Sequence, residues 1–284
     1  MKKYFVGLVL LNTIFAQYSF SQDSITVIPE PKLQHPSQVY RTKNIVDIPV
    51  TVAGTAWTLF AFTKIYGRDK PGDAEILALD RNNVNSFDRP VINNYSTSAK
   101  KASDMFFYGS MPFPLVLLLD KKIRKDAPKI GLLYMESLAV TGTLYTSSAM
   151  LANRFRPYAY NSNIALSERT KGGAKNSFFA GHPAVVATSA FFMAKVYTDY
   201  HPQMKNKWIM FTLAGAAAAT TGILRIKAGQ HFYTDVITGV TIGTLSGILI
   251  PQIHKNKNGK WNNMTLLPNI RTSGGGGFTA LYRM

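Results

Sequence analysis

The sequence contains no cysteine. Disulfides, zinc–thiolate centres and cysteine nucleophiles are therefore excluded. Charge is also scarce: 17% of the 284 residues are Asp, Glu, Lys or Arg, against roughly 25% in soluble domains. Acidic residues are the rarest part of that set, 15 against 32 Lys and Arg, which leaves a net charge of +17. Such an excess suits nucleic acid, anionic lipid or a phosphate-bearing substrate. No nucleic-acid motif is present, and the basic residues lie between apolar segments instead of along one stripe. Lipid headgroups or phosphorylated substrates are the better match. Hydrophobic residues make up 46% of the chain, yet the mean hydropathy is only -0.01. Composition thus fits a membrane protein or an unusually apolar helical core without choosing between them. There is no internal repeat.

What is present divides the chain into four parts. Residues 1–21 read as a secretory signal peptide. Lys2 and Lys3 form its basic start, residues 4–16 are largely apolar, and Ser19 and Ser21 place small residues before a cleavage point at Gln22. The apolar run is short for a membrane span. Residues 22–45 form a polar arm with Pro29, Pro31 and Pro36. Residues 46–251 hold six apolar segments, at 46–66, 104–120, 130–151, 182–200, 207–225 and 231–251. Several approach the ~20 residues needed to cross a bilayer. The expected fold is an all-α bundle of about six helices embedded in a membrane, with close packing along the Ala- and Gly-rich residues 214–219. Lys64 and Lys195 sit near segment ends, where they can snorkel. Glu136 lies inside the third segment and is expected to pair with a neighbouring helix. The polar stretch 67–103 is long enough to act as a lid or an interfacial helix. Residues 252–284 are a basic, Gly-rich tail with two short β-prone runs.

Of five histidines, two stand at the start of apolar segments. If His231 opens a helix, Asp235 lies one turn on along the same face. Its carboxylate can hold one ring N–H and leave the other nitrogen as a nucleophile. Arg225, six residues earlier, ends the preceding segment and suits a bidentate grip on phosphate. His182 opens the fourth segment between Gly181 and Pro183. There it can act as a general acid, and the Gly181 N–H can donate to a phosphate oxygen. Arg154 and Arg156 close the third segment before Pro157, where the simplest reading is interfacial anchoring.

Together these pieces resemble the type 2 phosphatidic acid phosphatase family and its haloperoxidase relatives. That signature has three parts: Lys, six residues and Arg-Pro; Pro-Ser-Gly-His; and Ser-Arg, five residues, His, three residues and Asp. Arg156-Pro157, Gly181-His182, and Arg225 with His231 and Asp235 match in order and spacing, over about 80 residues. The resemblance implies phosphate monoester hydrolysis through a phosphohistidine on His231. Asp235 would orient it, His182 would serve the leaving group, and Arg156, Arg225 and Gly181 would hold the phosphate. It implies no metal and no other cofactor. Four positions depart from the signature: Ala149, Phe179, Ala180 and Leu224 replace lysine, proline, serine and serine. One lost transition-state donor costs about 100- to 1,000-fold in rate, and Arg154, Lys175 or Lys227 are candidates to restore the charge.

The expected partner is a phosphorylated lipid or another phosphate monoester within membrane lipid. The rival readings are a soluble periplasmic acid phosphatase, a haloperoxidase, and a lipid- or phosphate-binding membrane protein without turnover. The bacterial cell envelope is the expected location, with the protein in the inner membrane and the site facing the periplasm. Two signals of topology collide. A cleaved signal with six spans puts the site on the cytoplasmic side. The cluster Lys121, Lys122, Arg124 and Lys125 puts the opposite end there instead.

Overall fold

A computed structural model describes residues 38–256, 264–270 and 276–282. The expected signal peptide and arm residues 22–37 lie outside the described residues. Six long helices carry the fold: α1 (Asn44–Tyr66), α2 (Thr97–Ser110), α3 (Ala127–Ala152), α4 (Gly181–Tyr200), α5 (Lys207–Lys227) and α6 (Tyr233–His254). The all-α bundle is as expected. In the tail, strands Met264–Ile270 and Gly276–Tyr282 pair antiparallel as a hairpin.

The second helix differs from its expected bounds of 104–120. It starts at Thr97 because the Ser96 side chain caps it, accepting from the Ala99 N–H at 3.2 Å. It ends at Ser110 because Pro112 and Pro114 lack the N–H groups that an α-helix needs. The apolar run continues as a 3-10 turn over Phe113–Leu119. Polar residues 97–103 are therefore helical. The α3 helix ends at Asn153, which takes a left-handed conformation with φ of 42°. That reversal turns Arg154 and Arg156 back over the end of the bundle.

The α4 helix lies at the centre, against α3, α5 and α6. Its Phe192, Val196 and Tyr200 join Tyr40, Leu117, Ile130 and Leu133 in the main apolar cluster. α6 approaches it along Gly239, Gly243 and Gly247. A Cβ on those residues would lie 2.3, 2.1 and 2.5 Å from the carbonyl oxygens of Ala180, Ala184 and Thr188. Only hydrogen fits at such a contact, and this backbone-on-backbone approach is the way small residues join membrane helices. The stripe is more intimate than the 214–219 run singled out from the sequence.

Among the described residues, four helical stretches are long and apolar enough to cross a membrane by length and composition: Asn44–Tyr66, Thr97–Leu119, Lys207–Lys227 and Tyr233–His254. Their outer faces are apolar, as Ile45, Leu59, Met105, Leu213 and Ile237 illustrate by their exposure. Apolar surface on this scale suits lipid. Lys195 does not snorkel as expected: it is buried and paired with Asp199, which also accepts from Tyr40 and Lys255.

Candidate active site

The end of α3, the start of α4, the end of α5 and the start of α6 meet at one end of the bundle. His231 stands two residues before α6 instead of opening it, and Phe232 occupies the N-cap position. Its ring is buried, with Nδ1 2.7 Å from the Ser177 carbonyl oxygen. A carbonyl can only accept, so the proton sits on Nδ1 and Nε2 keeps its lone pair. Burial, reinforced by the charges of Arg156 and Arg225, holds this histidine well below its ordinary pKa. The ring is therefore neutral at neutral pH.

Asp235 does not bind the ring directly as the spacing suggests. Its Oδ2 lies 4.0 Å from His231 Nδ1. That oxygen instead accepts from Ser177 Oγ at 2.6 Å and from the Phe232 N–H at 2.9 Å. The i, i+4 geometry fails because position 231 precedes the first helical turn. Asp235 thus fixes Ser177, and the Ser177 carbonyl fixes His231. A serine 54 residues away in sequence could not be assigned this part from local spacing.

Arg154 is the hub behind that pair. Its Nη1 donates to Asp235 Oδ1 at 2.5 Å and to Thr234 Oγ1 at 2.9 Å, while Nη2 donates to Asp88 Oδ2 at 2.8 Å. The guanidinium also lies 4.3 Å from the Phe232 ring centroid. It is neither an interfacial anchor nor free for substrate. Asp88 accepts from the Thr234 N–H at 3.0 Å, from Thr234 Oγ1 at 2.6 Å and from Asn85 at 2.8 Å. Burial alone would raise its pKa, but the hydrogen bonds from Thr234, Arg154 and Asn85 outweigh it and hold the carboxyl below its ordinary value. Val84, Val91 and Ile92 pack with Phe232 on the same segment. The stretch 67–103 is therefore neither a lid nor one interfacial helix. It is a wall fastened to the start of α6.

The two expected phosphate-binding arginines come together with His182. Arg225 Nη1 donates to Asp104 Oδ1 at 3.1 Å and to Ser103 Oγ at 3.3 Å, while its buried Nε has no hydrogen-bond partner. Arg156 donates through Nη1 to Gln230 and through Nε to the Asn176 carbonyl at 3.3 Å. His182 Nε2 is 3.0 Å from Asp104 Oδ1, and its ring stacks on Phe107 with centroids 4.2 Å apart. Burial, with the positive charges of Arg225, Arg156 and Lys100 added to it, lowers the pKa of His182 to about 2, so the ring alone in this site is neutral. Lys100, Ser103, Asp104 and Phe107 follow the i, i+3, i+4, i+7 pattern of one helix face. The amphipathic spacing was legible, but the stretch reads as loop until Ser96 is recognised as a cap. Gly181 opens α4, and its closest neighbour is the Tyr145 ring, 2.9 Å from where a Cβ would stand. Close packing alone accounts for glycine there.

A cavity of about 420 Å³ opens beside these groups, lined by Lys100, Asp104, Arg156, Glu168, Lys171 and Gln230 among others. A second, apolar cavity of about 530 Å³ runs between α2, α4 and α5, with Met105, Phe113, Val186, Met193 and Leu213 on its walls. Val186 is one turn along α4 from His182, and Met105 follows Asp104 directly.

The motif positions vacated in this chain are filled by packing. Ala149 is buried, and its carbonyl and that of Met150 accept from Arg68 at 3.2 and 2.7 Å. Ala180 is buried with its N–H 3.0 Å from the Asp235 carbonyl. Lys175 pairs with Glu75 at 2.6 Å, and Lys227 is exposed.

Comparison with known proteins agrees with the motif resemblance. The model of the PAP2 superfamily matches residues 130–259. A lipid A 4'-phosphatase of Porphyromonas gingivalis is 26% identical over 194 residues, covering 66% of this chain and 77% of that protein. The crystal structure of a transmembrane PAP2-type phosphatidylglycerolphosphate phosphatase from Bacillus subtilis is 20% identical. It aligns with a TM-score of 0.36 over 74% of this chain and 92% of its own.

Proposed function

We propose that this PAP2 superfamily chain, a phosphoric monoester hydrolase, removes phosphate from membrane lipids through a phosphohistidine on His231. One observation carries the reading. A neutral histidine with a fixed tautomer stands in the field of two arginines, and the buried Nε of Arg225 lacks a partner. A buried unpaired donor is costly unless a ligand satisfies it. Two guanidinium groups beside a nucleophile suit a phosphoryl dianion.

In the first step His231 Nε2 attacks phosphorus and the bond to the leaving alkoxide breaks. A bound phosphoryl dianion offsets the arginine charges that keep His182 neutral, so the ring is protonated in the complex and passes that proton to the departing oxygen. Water then attacks phosphorus while His182, now neutral, takes its proton; the P–N bond breaks, and inorganic phosphate leaves. Arg156 and Arg225 offset the charge on the equatorial oxygens throughout. Lys100 takes the place of the signature lysine absent at Ala149. It lines the same cavity as Arg156 from a different helix, one turn before Asp104. Arg154 and Lys175, both held by carboxylates, do not fill that part.

The substrate class follows from the apolar cavity that starts one turn from His182 between helices able to cross a membrane. An acyl chain fits such a crevice while its phosphate reaches the arginines. The Lys121, Lys122, Arg124 and Lys125 cluster precedes α3, at the end away from the site. A cytoplasmic cluster turns the site toward the periplasm. A second reading, a lipid-phosphate binder without turnover, rests on Ala149 and Ala180. The test is acid-labile phosphate on protein quenched during turnover of a lipid phosphate in micelles. Wild type should be labelled and His231→Ala should be neither labelled nor active. Undiminished turnover in His231→Ala, or label trapped on His182, overturns the mechanism. A wild type that binds but never turns over selects the second reading.

A further inference from the structure

Away from the phosphatase site, at the far end of α6, three ligand-type side chains converge. They are Asp47 from the first turn of α1, Glu136 from the middle of α3 and His254 at the end of α6. One donor atom from each lies within 4.8 Å of the others. His254 Nε2 is 3.3 Å from Asp47 Oδ2 and 3.8 Å from Glu136 Oε2.

We propose that these three residues bind a divalent transition-metal ion of the zinc class, which staples α1 to α3 and α6. Three observations carry this. First, Glu136 Oε2 is buried without any hydrogen-bond partner, and the Glu136 side chain is only 10% exposed. A buried carboxylate oxygen that lacks a donor and faces a histidine and a second carboxylate suits a cation. Second, His254 Nδ1 lies 2.8 Å from the Ile250 carbonyl. That bond puts the proton on Nδ1 and presents the Nε2 lone pair to the cluster, as the outer partner of a metal-bound histidine does. Third, the cluster has no strong cation of its own. Neither carboxylate has a Lys or Arg ion-pair partner among the described residues.

Spacing and donor type agree. Zinc–ligand bonds of about 2.0–2.2 Å set tetrahedral donor separations near 3.3–3.6 Å. The His254–Asp47 separation falls within that range and the His254–Glu136 separation about 0.2 Å beyond it, while all three donor atoms lie within 4.8 Å of one another. One imidazole and two carboxylates suit zinc better than calcium or magnesium, which take oxygen alone. The Thr51 hydroxyl, one turn on from Asp47, is also buried without a partner. Water or that hydroxyl completes the coordination. Because α1 leans chiefly on α3, a bond from Asp47 to both neighbours gives it a second attachment.

The proposal is independent of the phosphatase reading, and its test does not use activity. Tag-free full-length protein in detergent is stripped with chelator and titrated with Zn²⁺ and Co²⁺. Calorimetry reports stoichiometry, the cobalt absorption spectrum reports geometry, and thermal unfolding reports stabilisation. The expected result is one ion per chain, a tetrahedral cobalt band and a raised Tm. Glu136→Gln, nearly isosteric, should weaken binding by about 100-fold or more, beyond the 10- to 100-fold typical of outer partners. Asp47→Asn should do the same, while His201→Gln, outside the cluster, should bind as wild type does. Wild-type protein with no saturable ion, or Glu136→Gln and Asp47→Asn variants that bind undiminished, overturns the proposal. Should Glu136→Gln fail to fold, the wild-type stoichiometry and the Asp47→Asn titration decide it.

Discussion

Replacing Arg154 with methionine tests the assignment of this arginine to the scaffold instead of the substrate. Arg154 is one-quarter exposed, but the carboxylates of Asp88 and Asp235 that it joins are fully buried. Removing one partner of a buried ion pair costs about 3–5 kcal/mol because a charge is left uncompensated. Here Thr234, Asn85, Ser177 and the Phe232 N–H still serve the two acids, which places the loss near the lower end, about 3 kcal/mol. For a chain of this size that corresponds to a Tm fall of roughly 6–12 °C. Turnover should fall at least about 100-fold as Ser177 and His231 drift by an ångström or so. The pH dependence adds a sign. Asp88 has a lowered pKa in the folded protein. Its stabilisation is therefore present at neutral pH and lost as pH falls through the folded value. In Arg154→Met that contribution shrinks, so the gap from wild type is widest near pH 7 and narrows below about pH 4. Arg154→Lys should lie between the two, since it keeps the charge but not the fork. Differential scanning fluorimetry in detergent from about pH 3 to 8, with turnover measured in parallel, reads all of this. An Arg154→Met protein within about 2 °C of wild type and equally active at every pH would refute the hub.

Lys100→Ala should lower kcat about 10-fold or more through one lost cation on the phosphoryl group, with Lys100→Arg retaining most of it. Ala149→Lys should restore turnover to Lys100→Ala, and a flat response in both experiments removes Lys100 from the phosphate site. His182→Ala should slow alkyl phosphates far more than an activated aryl phosphate, whose leaving group needs little protonation; equal slowing of both would reassign the acid. Ala190→Phe, which fills the apolar cavity, should raise KM for a long-chain lipid phosphate and spare a short water-soluble one. Gly243→Ala should cost about 1–3 kcal/mol of stability by forcing α4 and α6 apart, measurable as a lowered Tm.

The parts of the site that lie within one motif were legible in the sequence. Arg225, His231 and Asp235 sit within eleven residues, so spacing alone puts them at one helix junction. His182 was legible because Gly181 and Pro183 mark a helix start. What stayed hidden was carried by contacts between distant segments. Asp104 reaches His182 across 78 positions, and Ser177 reaches His231 across 54. Neither pairing leaves a local pattern. The second helix departs from its apolar run, because Ser96 caps it before the run begins and Pro112 and Pro114 end its α-helical part inside the run. Glu136 was expected to meet a neighbouring helix, and it meets two residues, His254 and Asp47.

The Asp88 contact spans 146 positions, from the segment after the first helix to the start of the last. A membrane chain is built from its N-terminus, so for most of synthesis Asp88 has nothing to hold. Its partners Arg154 and Thr234 come from the third helix's end and the sixth helix's first turn. Catalytic competence is therefore the final event of biogenesis. The residue that fastens the wall has its partner only once the start of the last helix has been made.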